Sequence, residues 1–161
     1  MTILLSEKFG ILRSDKQLKN DFESYKDDSG GLGLIFFDID HFKSLNTKYT
    51  ETIVDKNILI PFQNQLLELV SVSGYAYSVG GDEFIILLRN VNQDETIAFA
   101  NRLLESTRNT EFNVASDNVK ITLSIGVANC PSDSTTYQTL RELANQAENK
   151  AKANGKNQVV F

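Results

Sequence analysis

Tyr75-Ala76-Tyr77-Ser78-Val79-Gly80-Gly81-Asp82-Glu83-Phe84-Ile85-Ile86-Leu87-Leu88 is the stretch that decides the fold. An apolar run enters, two glycines break it, two carboxylates follow, and a second apolar run leaves. That is the pattern of a β-hairpin. Gly80 and Gly81 can supply the positive φ angles of a tight turn. Two acids at the tip exceed what turning requires, because Asn-Gly or Asp-Gly would suffice. The plain reading is a solvated tip. The sharper one is that the glycines admit a ligand to the backbone while Asp82 and Glu83 hold a hard cation. The choice depends on what the rest of the chain brings to that tip.

Upstream, Leu32-Gly33-Leu34-Ile35-Phe36-Phe37 is a continuous apolar run, as in a strand buried on both faces. It ends in Asp38-Ile39-Asp40. His41 to Asn46 can start a helix, whose free backbone N–H groups suit phosphate. Asp38, ending a buried strand, points to function, whereas Asp40 reads as a helix cap. Thr47 to Thr52 reads as a polar turn. Ile53 to Val72 has helical spacing, with Pro61 kinking it or opening a second segment. Beyond the hairpin the pattern predicts a loop at 90–94, a helix at 95–109 and a strand at 119–127. In that strand Val119, Ile121, Leu123 and Ile125 point one way. A loop over 126–135 contains Cys130. A helix over 136–154 closes at Gly155, and a short strand ends the chain. Before the first strand, Ser14 to Tyr25 reads as a helix with Leu18, Phe22 and Tyr25 on one face. Residues 1–13 read as an N-terminal turn or extension, with the turn at Gly10.

Without its ends the order is βαββαβ, the ferredoxin-like α+β plan, with a mainly antiparallel sheet and helices packed on it. That plan lays the first strand beside a hairpin strand. It therefore brings Asp38 towards Asp82 and Glu83.

The totals fit a single domain. The chain has 161 residues, 41% hydrophobic and 23% charged, with a formal net charge of −5. No run approaches membrane-spanning length, and the N-terminus lacks a signal-peptide pattern. Cys130 is the only cysteine, so no internal disulfide forms, and a cytoplasmic location is expected. No Lys/Arg run offsets the negative surface, so a nucleic-acid partner is not expected.

Converging carboxylates repel one another unless protons or cations intervene. Mg²⁺, or Mn²⁺, is the economical answer, shared between carboxylates and substrate phosphates. Two such ions can activate a ribose hydroxyl and stabilise a leaving pyrophosphate. Lys43 follows the first strand and is placed to reach a triphosphate. Lys152 and Lys156 either add charge there or simply suit a helix C-terminus.

Three segments carry a resemblance: Asp38-Ile39-Asp40-His41-Phe42-Lys43-Ser44-Leu45-Asn46, then Gly80-Gly81-Asp82-Glu83-Phe84, then Ala151-Lys152-Ala153-Asn154-Gly155-Lys156-Asn157. In order and spacing they resemble the GGDEF family of diguanylate cyclases, whose palm-type fold is related to nucleotide polymerases. The resemblance implies a nucleotidyl cyclase that acts on nucleoside triphosphates as a homodimer. Asp38, the Ile39 carbonyl and Asp82 would bind metal, and Glu83 would assist the metals or the 3′-hydroxyl. Backbone N–H groups of His41 and Phe42 would hold phosphates with Lys43, Lys152 and Lys156, and Gly80 and Gly81 would admit the substrate. Lys156 stands where the family usually has Arg, and it lacks the bidentate fork. Asn46 and Asp55 would read the edge of guanine, which makes GTP the expected substrate and cyclic di-GMP the product.

The departures from the family pattern lie on the base side. Family members usually continue from the Asn with Asp, a Gly-His pair and a second Gly before the later Asp. This chain has Thr47, Thr50, Glu51 and Val54 there, and Ser78 replaces an Arg before the glycines. Ser71 and Gly74 occupy the family's feedback site, so product inhibition there is not expected. Two alternatives stand beside the diguanylate cyclase. A lone palm with a rebuilt base wall also resembles the minimal CRISPR polymerases, which would imply an adenine-containing cyclic nucleotide in antiphage signalling. A degenerate member would bind nucleotide without turning it over.

Overall fold

The computed structural model describes residues 9–28 and 30–161. Most of the expected N-terminal extension, residues 1–8, lies outside the described residues. The expected turn at Gly10 is present, with φ of 63°.

A short strand β1 (Arg13–Ser14) leads into helix α1 (Asp15–Tyr25), where the Ser14 N–H donates to Gln17 Oε1. The ferredoxin-like core follows. Strand β2 (Leu32–Ile39) is buried at every position. Helices α2 (Phe42–Tyr49), α3 (Glu51–Val54) and α4 (Ile60–Val70) come next, with a π turn at Asp55–Leu59 joining α3 to α4. Strands β3 (Gly74–Ser78) and β4 (Glu83–Arg89) form the hairpin. Helix α5 (Gln93–Arg108) is capped by Asn92, which accepts from the Glu95 N–H. A small hairpin of β5 (Phe112–Val114) and β6 (Asp117–Val119) precedes β7 (Leu123–Cys130), α6 (Tyr137–Ala153) and β8 (Gln158–Val160).

The sheet order is β1-β3-β4-β2-β7-β8. Its four central strands pair antiparallel, and the two edge strands pair parallel with their neighbours. Side chains alternate across the sheet. Ile35, Phe37, Phe84, Ile86 and Ile125 face a core closed by Phe62, Leu66, Phe99 and Leu103 of α4 and α5. Leu34, Phe36, Ile85 and Leu87 face a second core closed by Leu18 and Phe22 of α1 and by Leu140 and Ala144 of α6. The sheet is therefore covered on both faces. Among the described residues, no helix is long and apolar enough to cross a membrane.

Four expectations are corrected. Residues 47–49 belong to α2, whose exposed polar face resembles a turn, and residues 51–52 open α3. The strand begins at Leu123, and Val119 belongs to β6. That strand runs on to Cys130, which is buried rather than in a loop. The hairpin closes with the N–H groups of Val79 and Gly80 donating to the Glu83 carbonyl, and neither Gly80 nor Gly81 takes a positive φ. Among the described residues, a Cβ on Gly80 would meet only the Glu83 side chain, at 3.7 Å or more. The glycine there leaves open space above the tip.

Gly126 fixes how closely α6 approaches the sheet. A Cβ at this position would lie 2.1 Å from the Ala144 carbonyl oxygen and 2.3 Å from the Glu148 nitrogen, both backbone atoms. Gly126→Ala is therefore expected to push α6 away and cost about 1–3 kcal/mol. Urea unfolding checks this, and an unchanged midpoint contradicts it.

Candidate active site

Strand register brings the carboxylates together. Asp38, at the end of β2, pairs directly with Glu83, at the start of β4. Opposite residues on paired strands have Cβ atoms about 5 Å apart. The Ile39 N–H donates to the Asp82 carbonyl at 3.1 Å, which ties the hairpin tip to the strand end. Asp38, Asp82 and Glu83 thus converge at one corner of the sheet.

That corner holds a half-buried cation. Lys152 Nζ lies 2.7 Å from Asp38 Oδ2 and 2.8 Å from Glu148 Oε1. Glu148 is one α6 turn before Lys152 and is fully buried. Sequence reasoning missed Glu148, because it sits among the polar residues of an amphipathic helix. Only its i,i+4 spacing to Lys152 could have flagged it. Lys152 was expected to clamp phosphate, but here it pairs with two carboxylates.

Burial dominates the electrostatics. It pushes Asp38 up to about 6 against the opposing pull of Lys152, with Asp82 and Asp40 adding to the rise. It pushes Glu148 up to about 7, again against Lys152 and with help from Asp38 and Glu83. Asp82 is also raised by burial; its own backbone N–H opposes this and Glu83 adds to it. Burial lowers Lys152, but the two carboxylates more than offset that and leave it raised.

A stability prediction follows from the signs. Asp38 and Glu148 have folded-state values above their ordinary 3.8 and 4.5. The folded chain therefore binds these protons more tightly than the unfolded one. Their stabilising effect is complete below about pH 4 and is lost as pH rises through 6 and 7. Metal-free protein is expected to melt at a lower temperature at about pH 8 than at about pH 5.5, and Glu148→Gln should flatten that slope. Thermal melts in EDTA measure both, and a midpoint that rises across this window contradicts the assignment.

Among the described residues, no three carboxylate, imidazole or thiol side chains are assembled into a ready metal cage. The expected set of Asp38, the Ile39 carbonyl, Asp82 and Glu83 is therefore not a closed site. Mg²⁺ commonly takes one or two carboxylates and completes its shell with water and substrate phosphates. Among the described residues, buried Asp38 Oδ1 has no hydrogen-bond partner. A hard cation would satisfy it, so the donor set fits a metal shared with a ligand.

Asp40 was expected to cap α2. It is buried instead, accepting from Thr122 Oγ1 and Ser124 Oγ at 2.6 Å each and from the Asn157 N–H at 3.0 Å. It ties β2 to β7 and to the loop after α6. The N-cap of α2 is His41, exposed and left-handed with φ of 59°. The first backbone bond of α2 runs from Ser44 back to His41, so the N–H groups of the first turn, with exposed Lys43, are open to a ligand. Lys156 and His41 line a cavity of about 470 Å³ with Asp40 and Ser44, and Lys43 does not border it.

A second group assembles beside the carboxylates. Phe42, Asn46, Asp55, Leu59, Gln63 and Gly81 line a cavity of about 250 Å³. Gly81 immediately precedes Asp82, so this cavity and the carboxylate corner share the hairpin tip. Among the described residues, buried Asn46 Oδ1 has no hydrogen-bond partner. A larger cavity, about 660 Å³, opens at the far end of β2 and is lined by Gly31, Asn92, Asp94 and Glu95 among others. Among the described residues no lysine or arginine lines it and none of the expected site residues reaches it, so chemistry rather than size marks the candidate site.

The chain matches the diguanylate cyclase GGDEF domain family over residues 12–158. It is 32% identical over 129 residues to the uncharacterised protein YhcK of Bacillus subtilis, covering 80% of this chain and 36% of that protein. It is 31% identical over 129 residues to the diguanylate cyclase DosC of Escherichia coli K12, covering 80% of this chain and 28% of DosC. The chain thus spans about a third of the length of these curated relatives. The fold superposes on the active GGEEF domain of a diguanylate cyclase from Vibrio cholerae with a TM-score of 0.83. That pair is 26% identical and covers 92% of this chain and 96% of the other.

Proposed function

Because this chain belongs to the GGDEF domain family of diguanylate cyclases, we propose that it condenses two GTP molecules into cyclic di-GMP and two pyrophosphates. One observation carries the proposal. The carboxylate corner of Asp38, Asp82 and Glu83 and the cavity lined by Asn46 and Asp55 meet at one glycine-flanked hairpin tip. A base in the cavity leaves its phosphates within reach of the acids.

Asp38, the Ile39 carbonyl and Asp82 would hold the metal, with Glu83 beside them. When bound, Mg²⁺ lowers the pKa of a 3′-hydroxyl and neutralises the leaving pyrophosphate. The residues do the rest. The first turn of α2 and Lys43 bind the phosphates through N–H groups and charge. Glu83, opposite Asp38 on β4, accepts the 3′-hydroxyl proton. The 3′-oxygen then forms a bond to the α-phosphorus of the other nucleotide, and the bond to the β-phosphate bridging oxygen breaks. Lys152 shares its single charge between Asp38 and Glu148, and its ammonium would serve a phosphate if Asp38 were engaged in holding the metal. The product has two-fold symmetry, which suits a homodimer with one nucleotide per protomer.

Mass analysis of products formed from equal GTP and ATP with Mg²⁺ tests this. The expected products are pyrophosphate and a cyclic dinucleotide containing two guanines. An adenine-containing product would overturn the base assignment. Tight nucleotide binding without pyrophosphate release would overturn the enzymatic reading.

A further inference from the structure

We propose that Gln63 is a specificity-determining residue, its side-chain amide donating to O6 of the bound guanine. The inference rests on the GTP reading above and adds a residue to it. Gln63 lies on α4 next to Phe62, one turn before Leu66, and is only 3% exposed. An apolar side chain would serve that position if packing were its only role. Gln63 lines the 250 Å³ cavity with Asn46 and Asp55. A polar side chain this well buried that also lines a cavity has its amide available to a ligand there. Asn46 Oδ1, on the same cavity, is buried and lacks a partner among the described residues. A buried, unsatisfied Asn46 oxygen and the Gln63 amide on one cavity wall imply a ligand with complementary donors and acceptors.

The helix geometry explains why Gln63 and Asp55 share a wall. Eight residues along an uninterrupted α-helix leave two side chains about 80° apart. The π turn at Asp55–Leu59 inserts one residue, and its wider turn takes back most of that offset. Chemically the set is complete for guanine. The Asp55 carboxylate and Asn46 Oδ1 accept from N1–H and the 2-amino group, and Gln63 Nε2 supplies the donor that O6 requires. Adenine offers neither O6 nor a 2-amino group.

The test is equilibrium binding of α,β-methylene triphosphates of guanosine, inosine and 2-aminopurine riboside to the full chain and to Gln63→Leu. Guanosine and inosine carry O6, and 2-aminopurine does not. Gln63→Leu should weaken the first two about fivefold, the worth of one hydrogen bond, and leave the third unchanged. Equal weakening of all three would assign Gln63 to packing and overturn the inference, as would no weakening of any. Gln63→Glu, which keeps the shape but presents oxygens to O6, should weaken guanosine binding at least about tenfold with an unchanged melting temperature. Guanosine binding by Gln63→Glu equal to that of the unmodified chain would also overturn it. If the unmodified chain binds neither oxopurine, the GTP reading falls with it. If it binds both and the variants change nothing, only this inference falls.

Discussion

Asp38→Asn should lower cyclic dinucleotide formation on the order of 10³-fold, the scale for losing a preorganised electrostatic group. The substitution keeps the shape of the side chain and removes its charge. It leaves Lys152 paired with Glu148, at 2.8 Å. Burial already raises Asp38 to about 6, so the fold bears a cost for ionising it. The variant should therefore melt no lower than the parent at neutral pH. Steady-state pyrophosphate release and a thermal melt check the two halves. Full activity would remove Asp38 from the metal site, and a collapsed melt would make its role structural.

Asp55→Ala should lower kcat/KM for GTP about 10²-fold, the effect of losing charge-assisted hydrogen bonds to the base. Activity with ATP should change little, because adenine lacks the N1–H and 2-amino donors. The ratio of the two nucleotides is the informative reading, since Asp55 opens the π turn and its loss also perturbs α4. A parallel fall for both nucleotides would point to a damaged helix rather than a lost base contact.

The sequence carries the hairpin and β2 plainly, because their apolar runs are continuous and their glycines and acids sit at the ends. Register does the rest: once β2 lies beside β4, Asp38 faces Glu83. Other features were hidden for physical reasons. The alternation from Val119 to Ile125 runs unbroken through the end of one strand, a linker and the start of another, so periodicity cannot show the break. The polar face of α2 resembles a turn because Tyr49 is its one buried residue. Glu148 looks like a solvated residue of α6 until Gly126 is seen drawing that helix onto the sheet. Gln63 looks equally ordinary between Phe62 and Asn64, and only the cavity beside it gives it a purpose. Asp40 was read as a cap because Asp at a strand–helix junction usually is one. Its three donors come from β7, the residue just before it and the loop after α6, all more than 80 residues away along the chain.

The most direct test is a structure with Mg²⁺ and a non-hydrolysable GTP analogue. Carboxylate oxygens of Asp38 and Asp82 should both lie about 2.1 Å from one ion that also touches a phosphate oxygen. Lys152 should then have left Asp38. An ion held by the phosphates alone, with Lys152 still on Asp38, would contradict the account.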